Sequence, residues 1–290
     1  MVAPKAMTFG KGPVLAVDAP ALLYRAFFGI PLKIANNALL GTTNTLLATI
    51  AVHRPRAVIL CFGAENAKYR VEAYPPYHAH RPPMPVELRA QFDRAPAFFR
   101  AFGWIVEPHD SLEADDLVDS FAQVEAEAGG TGLILTGDRD LYQSVNAKVS
   151  VLMMQKGGQP PAVVDEAGVV ERYGVKPSQV PDFIALRGDP SDGLPGAKGI
   201  GEKSAKDLLV KYGTLEKVLS DAPRAIKPSA AVRALPEQAD MLRVFRDVAT
   251  VRRVDVTRPK DTPLDPKKAA EACRANKMPN LADRFEKMHD

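Results

Sequence analysis

Short apolar runs separated by helical patterns dominate the N-terminal half of the chain. Val14 to Val17, Ala57 to Phe62 and Leu133 to Leu135 have the length and composition of buried strands, and a fourth strand is predicted over Lys148 to Met153. The segments between them carry apolar residues at helical spacing, as over Asn37 to Val52. Strands that alternate with helices predict an α/β fold with a mostly parallel, doubly wound sheet covered by helices on both faces.

The pattern changes after about residue 175, where the strand signals end. Short helical segments separated by Gly and Pro follow, among them Glu202 to Val210. We interpret residues 12–174 as an α/β domain, residues 175–260 as a smaller helical module and residues 261–290 as a C-terminal helical extension.

The composition is that of a folded globular protein, with 46% hydrophobic and 25% charged residues. No apolar run in residues 1–13 is long enough for a signal peptide, and no stretch approaches the ~18 apolar residues of a membrane span. We therefore expect a cytoplasmic protein with no membrane partner. The two cysteines argue against a disulfide framework or a cysteine-rich metal site.

Acidic residues follow the predicted strands and lie in one later turn. Asp18 ends the first strand, Asp138 and Asp140 follow the third in TGDRDL, and Asp189 and Asp192 lie in GDPSD. The carboxyl ends of parallel strands meet at one edge of a sheet, where ligands bind. Acids are also common turn formers, so the positions alone leave both interpretations open.

The segment LEADDLVDS adds three more acids, Glu113, Asp115 and Asp116, in the first turns of a helix that Ser111 can cap. The helix dipole favours acids at this end, which is a purely structural alternative. Adjacent aspartates nevertheless repel each other unless cations lie nearby. We expect Asp119, further along the helix, to be solvated.

Eight carboxylates in separate segments have the chemistry of a site for Mg²⁺ or Mn²⁺, because hard cations bind oxygen ligands. Two such ions about 3.5 to 4 Å apart can activate water and stabilise the leaving oxygen in phosphodiester cleavage. The net charge is +3, so gathering these acids around metal ions leaves the rest of the surface basic, which suits a polyanionic partner. No Ser-His-Asp, Cys-His or HExxH arrangement competes.

Two further segments have compositions that can serve nucleic acids. Residues 74–85, YPPYHAHRPPMP, combine prolines with rings and cationic groups, which is typical of single-strand channels or of a solvated connector. The glycine-rich run Gly196 to Ser204 is neither a Walker loop, because Glu202 replaces the required lysine, nor a Rossmann turn. It either grips a phosphate with backbone N–H groups at a helix start or is a plain packing turn.

The ordered motifs VDAPALLYRAFF, EAYPPYHAHRPPMP, LEADDL, TGDRDLYQ and RGDPSDGLPGAKGIGEKSA resemble those of the 5′-to-3′ exonuclease domain of bacterial DNA polymerase I and the related flap endonucleases. The resemblance runs from about Val14 to about Val218. No polymerase domain follows, so we expect a free-standing, monomeric nuclease.

The resemblance implies a PIN-like nuclease sheet, an arch over about residues 66–95 and a helix-three-turn-helix module. It implies a structure-specific 5′-to-3′ exonuclease and flap endonuclease that hydrolyses DNA with two or more divalent ions in replication and repair. The expected substrates are 5′ flaps, nicks and single-strand to duplex junctions.

The resemblance also assigns roles to individual residues. The metal ligands it implies are Asp18, Glu113, Asp115 and Asp116 in a first cluster and Asp138, Asp140, Asp189 and Asp192 in a second. The catalytic residues it implies are Arg70, Arg81 and Asp138, with the arginines on the phosphate. The DNA contacts it implies are Tyr77, His78, Arg81, Gly199, Gly201, Lys203 and Ser204, with a K⁺ ion at the glycine loop.

Two positions depart from the family pattern. Gly63 stands where the family has an aspartate after its second strand, and Glu65 is a candidate replacement. His78 stands where the family has an arch lysine, which weakens attraction to the cleaved strand near pH 7. Two alternatives therefore stay open: a DNA-junction binding protein with weakened catalysis, and a 5′ nuclease directed at RNA, including RNA primer ends.

Overall fold

The structure, a computed structural model, describes residues 12–289. Residues 1–11, where we expect no signal peptide, and residue 290, the end of the predicted C-terminal extension, lie outside the described residues. No helix within the described part of the chain has the length and apolar character needed to cross a bilayer.

A six-stranded sheet forms the centre of the N-terminal region. Its strands are β1 (Val14–Asp18), β2 (Ala57–Phe62), β3 (Ile105–Pro108), β4 (Gly132–Thr136), β5 (Val149–Met153) and β6 (Ala162–Val164). The order across the sheet is β3-β2-β1-β4-β5-β6; β1 to β5 are parallel, and β6 pairs antiparallel with β5. The mostly parallel α/β sheet predicted from the sequence is confirmed.

Helices surround the sheet and continue beyond it. They are α1 (Ala19–Gly29), α2 (Asn37–His53), α3 (Lys68–Ala73), α4 (Val86–Phe92), α5 (Ala95–Arg100), α6 (Ala114–Glu127), α7 (Glu166–Tyr173), α8 (Val180–Arg187), α9 (Glu202–Tyr212), α10 (Leu215–Asp221), α11 (Ala230–Arg233), α12 (Ala239–Ala249), α13 (Pro266–Ala275) and α14 (Pro279–His289). Short 3₁₀ turns link several of them.

Each face of the sheet has its own apolar core, because alternate residues of a strand point to opposite faces. Val14 and Ala16 face the core that includes α6 and the helices from α7 to α12. Leu15 and Val17 face the core built with α1, α2, α5, α13 and α14. In that second core the Phe102 and Phe285 rings meet edge to face 5.1 Å apart, so the C-terminal helices close this side of the sheet.

Two expectations about helix α6 are wrong. The helix begins after Glu113, not after Ser111, because the backbone N–H groups of Ser111 and Leu112 bond to His109 Nδ1 in a preceding turn. Asp119 is 4% exposed rather than solvated, since Gln123 donates to its carboxylate at 3.0 Å and Arg253 lies 3.7 Å away.

The strand order reverses direction between β1 and β4. The chain runs outward from β1 to β2 and β3, and then returns to place β4 on the other side of β1. Such a switch point leaves a crevice beyond the carboxyl ends of the two strands, where open α/β sheets bind their ligands. Asp18 and the residues after Thr136 lie at this crevice.

Candidate active site

A cavity of about 1050 Å³ opens at the carboxyl edge of the sheet. Seven of the eight predicted metal ligands line it: Asp18, Glu113, Asp115, Asp138, Asp140, Asp189 and Asp192. They come from β1, the start of α6, the loop after β4 and the turn after α8. The topology therefore brings together acids that are far apart in the sequence.

The side chain of Thr136 joins the two strands at the switch point. Its hydroxyl donates to Asp18 Oδ2 at 2.7 Å and accepts from the backbone N–H of Asp138 at 3.0 Å. The other Asp18 oxygen accepts from the N–H of Ala21 at 3.0 Å, which caps α1. Asp138 in turn accepts from the N–H of Asp140 at 2.8 Å. Backbone and hydroxyl donors thus fix both strand-terminal acids.

Burial and mutual repulsion raise the pKa values of several acids in the cavity, including that of Asp18. Burial, followed by the charges of neighbours such as Asp138 and Asp18, raises the pKa of Asp115 well above its usual range. Burial and the nearby Asp138 do the same to the pKa of Asp140. Burial raises the pKa of Asp138 itself to about 7. The charges of Arg70 near Asp115 and of Arg187 near Asp140 favour the ionised forms, but burial outweighs them.

Glu113 lies at the cavity wall, held by three donors. The backbone N–H of Ala67 bonds to its Oε1 at 2.6 Å, while Tyr77 Oη, at 3.0 Å, and Arg70, at 2.9 Å, contact its Oε2. Gly63 packs directly against it, and a Cβ there would overlap the backbone atoms of Glu113 and Ala114. The glycine at the departure from the family pattern is thus required by a close backbone approach.

Asp189 and Asp192 lie in a tight turn after α8. The backbones of Asp189 and Leu194 bond to each other in both directions at 2.8 Å. Asp189 also pairs with Arg187 at 3.1 Å. Asp192 accepts from Arg81 at 2.9 Å and contacts His78 Nε2 at 3.1 Å, so the arch segment docks on this turn.

The three predicted contacts in the arch differ in their access to the cavity. Tyr77 and His78 line it but are each 5% exposed, with their polar atoms turned to Glu113 and Asp192. The side chain of Arg81 is 42% exposed at the rim. Of these three residues, Arg81 is therefore the one whose side chain is available to a ligand.

The structure does not bring Arg70 and Asp116 into the cavity. Asp116 is 0% exposed, and its carboxylate accepts from Arg70 Nη2 at 3.0 Å, from Tyr69 Oη at 2.9 Å and from the backbone N–H of Arg252 at 2.8 Å. Arg70, expected on the phosphate, is 3% exposed beside it. In this structure the polar atoms of both side chains contact each other and neighbouring segments.

The glycine-rich loop lies before α9, away from the residues that line the cavity. Gly199 has a left-handed φ of 79°, which glycine adopts without strain, and Gly201 is the N-cap of α9. Lys203 and Ser204 lie exposed in the first turn of that helix.

The sequence analysis missed several cavity residues. Tyr24, Arg25 and Arg89 line the wall formed by α1 and α4, while Arg139 and Arg187 stand among the acids. Arg139 and Arg187 lie inside the motifs TGDRDL and RGDPSD, so their adjacency to the acids was a usable signal. Arg89 lies on α4, outside the acidic motifs, and no local sequence pattern connects it to the site.

The donor set of the cavity fits hard divalent cations, because it offers carboxylate oxygens and no thiolate. Among residues 12–289, no three His, Cys, Asp or Glu side chains converge closely enough to hold one ion by themselves. Mg²⁺ is commonly bound by one or two carboxylates and completes its coordination with water and substrate phosphate. The acids present are compatible with that mode of binding.

Two family models match the chain in succession. The 5′-3′ exonuclease N-terminal resolvase-like domain matches residues 13–174, and the 5′-3′ exonuclease C-terminal SAM fold matches residues 175–270. DNA polymerase I of Mycobacterium tuberculosis is 34% identical over 261 residues, covering 86% of this chain and 29% of that protein. The thermostable DNA polymerase I of Thermus thermophilus is 35% identical over 247 residues, covering 83% and 29%. The chain spans less than a third of the length of these relatives.

Solved structures share the fold at lower identity. A T5 5′-exonuclease with bound zinc ions has a TM-score of 0.69 and 17% identity, over 95% of this chain and 97% of that one. The catalytic core of Rad2 in complex with DNA has a TM-score of 0.63 and 13% identity, over 95% and 92%. Since the two family models account for residues 13–270, the chain belongs to the 5′-3′ exonuclease family, as its sequence motifs predicted.

Proposed function

We propose that this chain is a divalent-metal-dependent 5′-to-3′ exonuclease and flap endonuclease that hydrolyses phosphodiester bonds of DNA in replication and repair. Its proposed substrates are 5′ flaps, nicks and single-strand to duplex junctions, with Mg²⁺ or Mn²⁺ as the ions. The observation that carries the proposal is the lining of one cavity by seven carboxylates at the switch point of the sheet. We further propose that the protein acts as a monomer in the cytoplasm.

Asp18, Glu113, Asp115, Asp138, Asp140, Asp189 and Asp192 are the proposed ligands for two or more ions. When bound, such ions offset the charge that develops on the phosphate and make a nucleophile available from water at neutral pH. Thr136 holds Asp18 and the backbone of Asp138 in place, and Tyr77 orients Glu113. Asp138 combines the role of ligand with a position directly at the switch point.

Arg81 is the proposed phosphate contact. It is the predicted catalytic arginine whose side chain reaches the cavity rim, and its partner Asp192 is itself a proposed ligand. Asp192 would hold a cation here, and its charge would then be shared between that cation and Arg81, which would leave the guanidinium available to the substrate. Its planar fork suits bidentate contact with a phosphate.

The loop before α9 is the proposed contact with duplex DNA. Gly199 and Gly201 allow the backbone to approach a phosphate closely, and Lys203 and Ser204 extend the contact without reading sequence. The proposal includes a K⁺ ion at this loop. A duplex-binding titration in which Na⁺ replaces K⁺ tests this part of the proposal directly.

Cleavage of an end-labelled 5′-flap duplex in Mg²⁺, in Mn²⁺ and in chelator tests the proposal. We expect cleavage with either ion and none with chelator, and we expect Asp138→Asn to lower the rate by about 10²- to 10³-fold. Asp240→Asn, at a fully exposed acid on α12, is the matched control and keeps the wild-type rate. An Asp138→Asn enzyme as fast as wild type contradicts the assignment.

The same assay separates the alternatives. Binding of the flap without cleavage across Mg²⁺ and Mn²⁺ concentrations identifies a DNA-junction binding protein. Faster cleavage of an RNA flap than of its DNA counterpart identifies an RNA-directed 5′ nuclease.

A further inference from the structure

Asp116 lies behind the cavity in a shell of hydrogen-bond donors. Its Oδ1 accepts from Tyr69 Oη at 2.9 Å, Arg70 Nη2 at 3.0 Å and the backbone N–H of Arg252 at 2.8 Å. Its Oδ2 accepts from Arg70 Nη1 and the N–H of Glu113, each at 3.3 Å. A carboxylate has about four lone-pair sites, so five donors leave none for a metal ion.

The guanidinium of Arg70 likewise has protein acceptors for its nitrogens. Its Nε donates to the carbonyl of Val248 at 3.0 Å, and its two terminal nitrogens contact Asp116 and Glu113. Each nitrogen of the fork therefore faces a protein acceptor, and none is directed at a substrate.

These contacts join three separate segments of the chain. Tyr69 and Arg70 belong to α3 at the base of the arch, and Asp116 belongs to the first turn of α6. Val248 lies near the end of α12 in the helical module, and Arg252 follows it with its guanidinium 3.5 Å from the centre of the Tyr69 ring. The contacts thus link the arch base and the helical module to the start of α6, where the proposed ligand Glu113 is the N-cap and the proposed ligand Asp115 lies in the first turn.

We propose that Asp116 and Arg70 are a positioning pair, which fixes Glu113 and the first turn of α6 against the arch base and the helical module, and that neither residue binds metal or substrate phosphate. This inference rests on the proposed nuclease function. It assigns the pair a role different from the metal ligand and phosphate contact that the sequence motifs suggest.

Thermal unfolding in chelator separates a positioning carboxylate from a ligand by its sign. Asp116→Asn removes a charge that five donors satisfy, and it lowers the unfolding midpoint by about 4 °C or more. Asp115→Asn, one residue away, removes a charge that burial and other acids disfavour, and it raises the midpoint. A rise with both variants contradicts the proposal.

Calorimetric titration of Mn²⁺ into the DNA-free variants supplies a second measurement. We expect Asp115→Asn to weaken Mn²⁺ binding and Asp116→Asn to retain it. A crystal of the wild-type protein grown with Mn²⁺ makes the result independent of how well any variant folds. An anomalous-scattering peak within about 2.5 Å of an Asp116 oxygen overturns the proposal, and a peak beside Asp115 with Asp116 uncoordinated supports it.

Turnover of a 5′ flap shows whether the pair acts as a unit. Asp116→Asn and Arg70→Gln are each expected to lower kcat by about 10- to 100-fold with KM unchanged. The double variant is expected to lose no more than the worse single variant. Losses that multiply overturn the pairing. A wild-type protein that cleaves no nucleic acid defeats the proposed function, whereas the unfolding and Mn²⁺ measurements still decide where Asp116 acts.

Discussion

The two ends of helix α6 use buried carboxylates in opposite ways. At the N-terminal end, burial and the neighbouring acids Asp138 and Asp18 raise the pKa of Asp115 well above its usual range. At the C-terminal end, hydrogen bonds from Arg258 and Arg56 lower the pKa of Glu125 to about 2, against the effect of burial. The same kind of side chain is therefore destabilised at one end and stabilised at the other.

The difference follows from which edge of the sheet each end meets. The start of α6 lies at the carboxyl ends of the strands, beside the cavity, whereas Glu125 meets Arg56 just before β2 begins. Arg56 also pairs with Asp261, at 2.9 Å, in the segment that leads to α13. At one edge the paired Glu125 secures the C-terminal segment. At the other edge Asp115, Asp138 and Asp140, whose pKa values are raised by burial and by neighbouring acids, are available for cations. Strongly perturbed acids in a cleft are the usual sign of function.

The largest effect that tests this comparison is on stability at the paired end. Glu125→Gln leaves the buried Arg56 without its buried charged partner and with only the half-exposed Asp261, and we expect unfolding to cost about 3 kcal/mol less. Urea denaturation measures the change. Glu127→Gln, which breaks an exposed pair with Arg253, is the matched control and changes stability by less than about 1 kcal/mol.

Flap cleavage by folded Glu125→Gln completes this test. We expect the rate per folded molecule to equal that of the wild type, because Glu125 lies outside the cavity lining. If Glu125→Gln leaves the stability unchanged, or if the folded variant cleaves the flap more slowly than the wild type, then the two ends of α6 do not divide stabilisation and function between them.

The sequence alone predicted the acids around the cavity, at the N-terminal end of α6, much better than the ion pairs around Glu125 at its C-terminal end. Strands β1, β2, β4 and β5 are buried on both faces, and continuous apolar runs mark such strands. Acids that follow them reach the same edge through topology alone, which is why Asp18 and Asp138 could be placed there. Strands β3 and β6 are short edge strands with exposed residues, and they leave no comparable run.

Tertiary partners explain what the sequence did not reveal. Glu125 meets Arg56 and Arg258 across 69 and 133 residues, and Asp116 meets Arg70 across 46. The local periodicity of apolar and polar residues in the sequence does not indicate which residues form such distant pairs. An acid in a motif therefore looks the same whether an arginine neutralises it or not, and the motif could not separate Asp116 from Asp115.

A medium effect is expected where the N-terminal end of α6 meets β2. Gly63→Ala places a methyl group against the backbone of Glu113 and Ala114, and we expect a loss of about 1 to 3 kcal/mol in urea denaturation. Gly63→Asp is expected to lower stability and flap cleavage together, because the clash displaces Glu113. Gly29→Ala, where a Cβ meets nothing within 4 Å, is the matched control. Faster cleavage by Gly63→Asp identifies the glycine as a lost ligand position instead.

The smallest effect is on the pH dependence of stability, and its direction differs between the two ends. Glu125 has a folded pKa of about 2 against 4.5 unfolded, so its contribution is complete above about pH 4.5 and is lost as the pH falls towards 2. Asp138 has a folded pKa of about 7 against 3.8 unfolded. Its folded form keeps a proton that the unfolded chain releases, so the wild type loses stability as the pH rises from about 4 to 7.

Thermal unfolding of wild type and Asp138→Asn in chelator measures this directly. The variant has no carboxyl group to titrate at this position, so its advantage over the wild type is expected to grow between about pH 5 and pH 7, to a few degrees, and then to stay constant. Glu125→Gln shows the opposite sign, with a deficit that is full at about pH 5 and disappears at lower pH. If the difference in unfolding midpoint between Asp138→Asn and the wild type is the same at about pH 5 and pH 8, the pKa of Asp138 is not raised in the folded protein. The contrast between the two ends of α6 then rests on Glu125 alone.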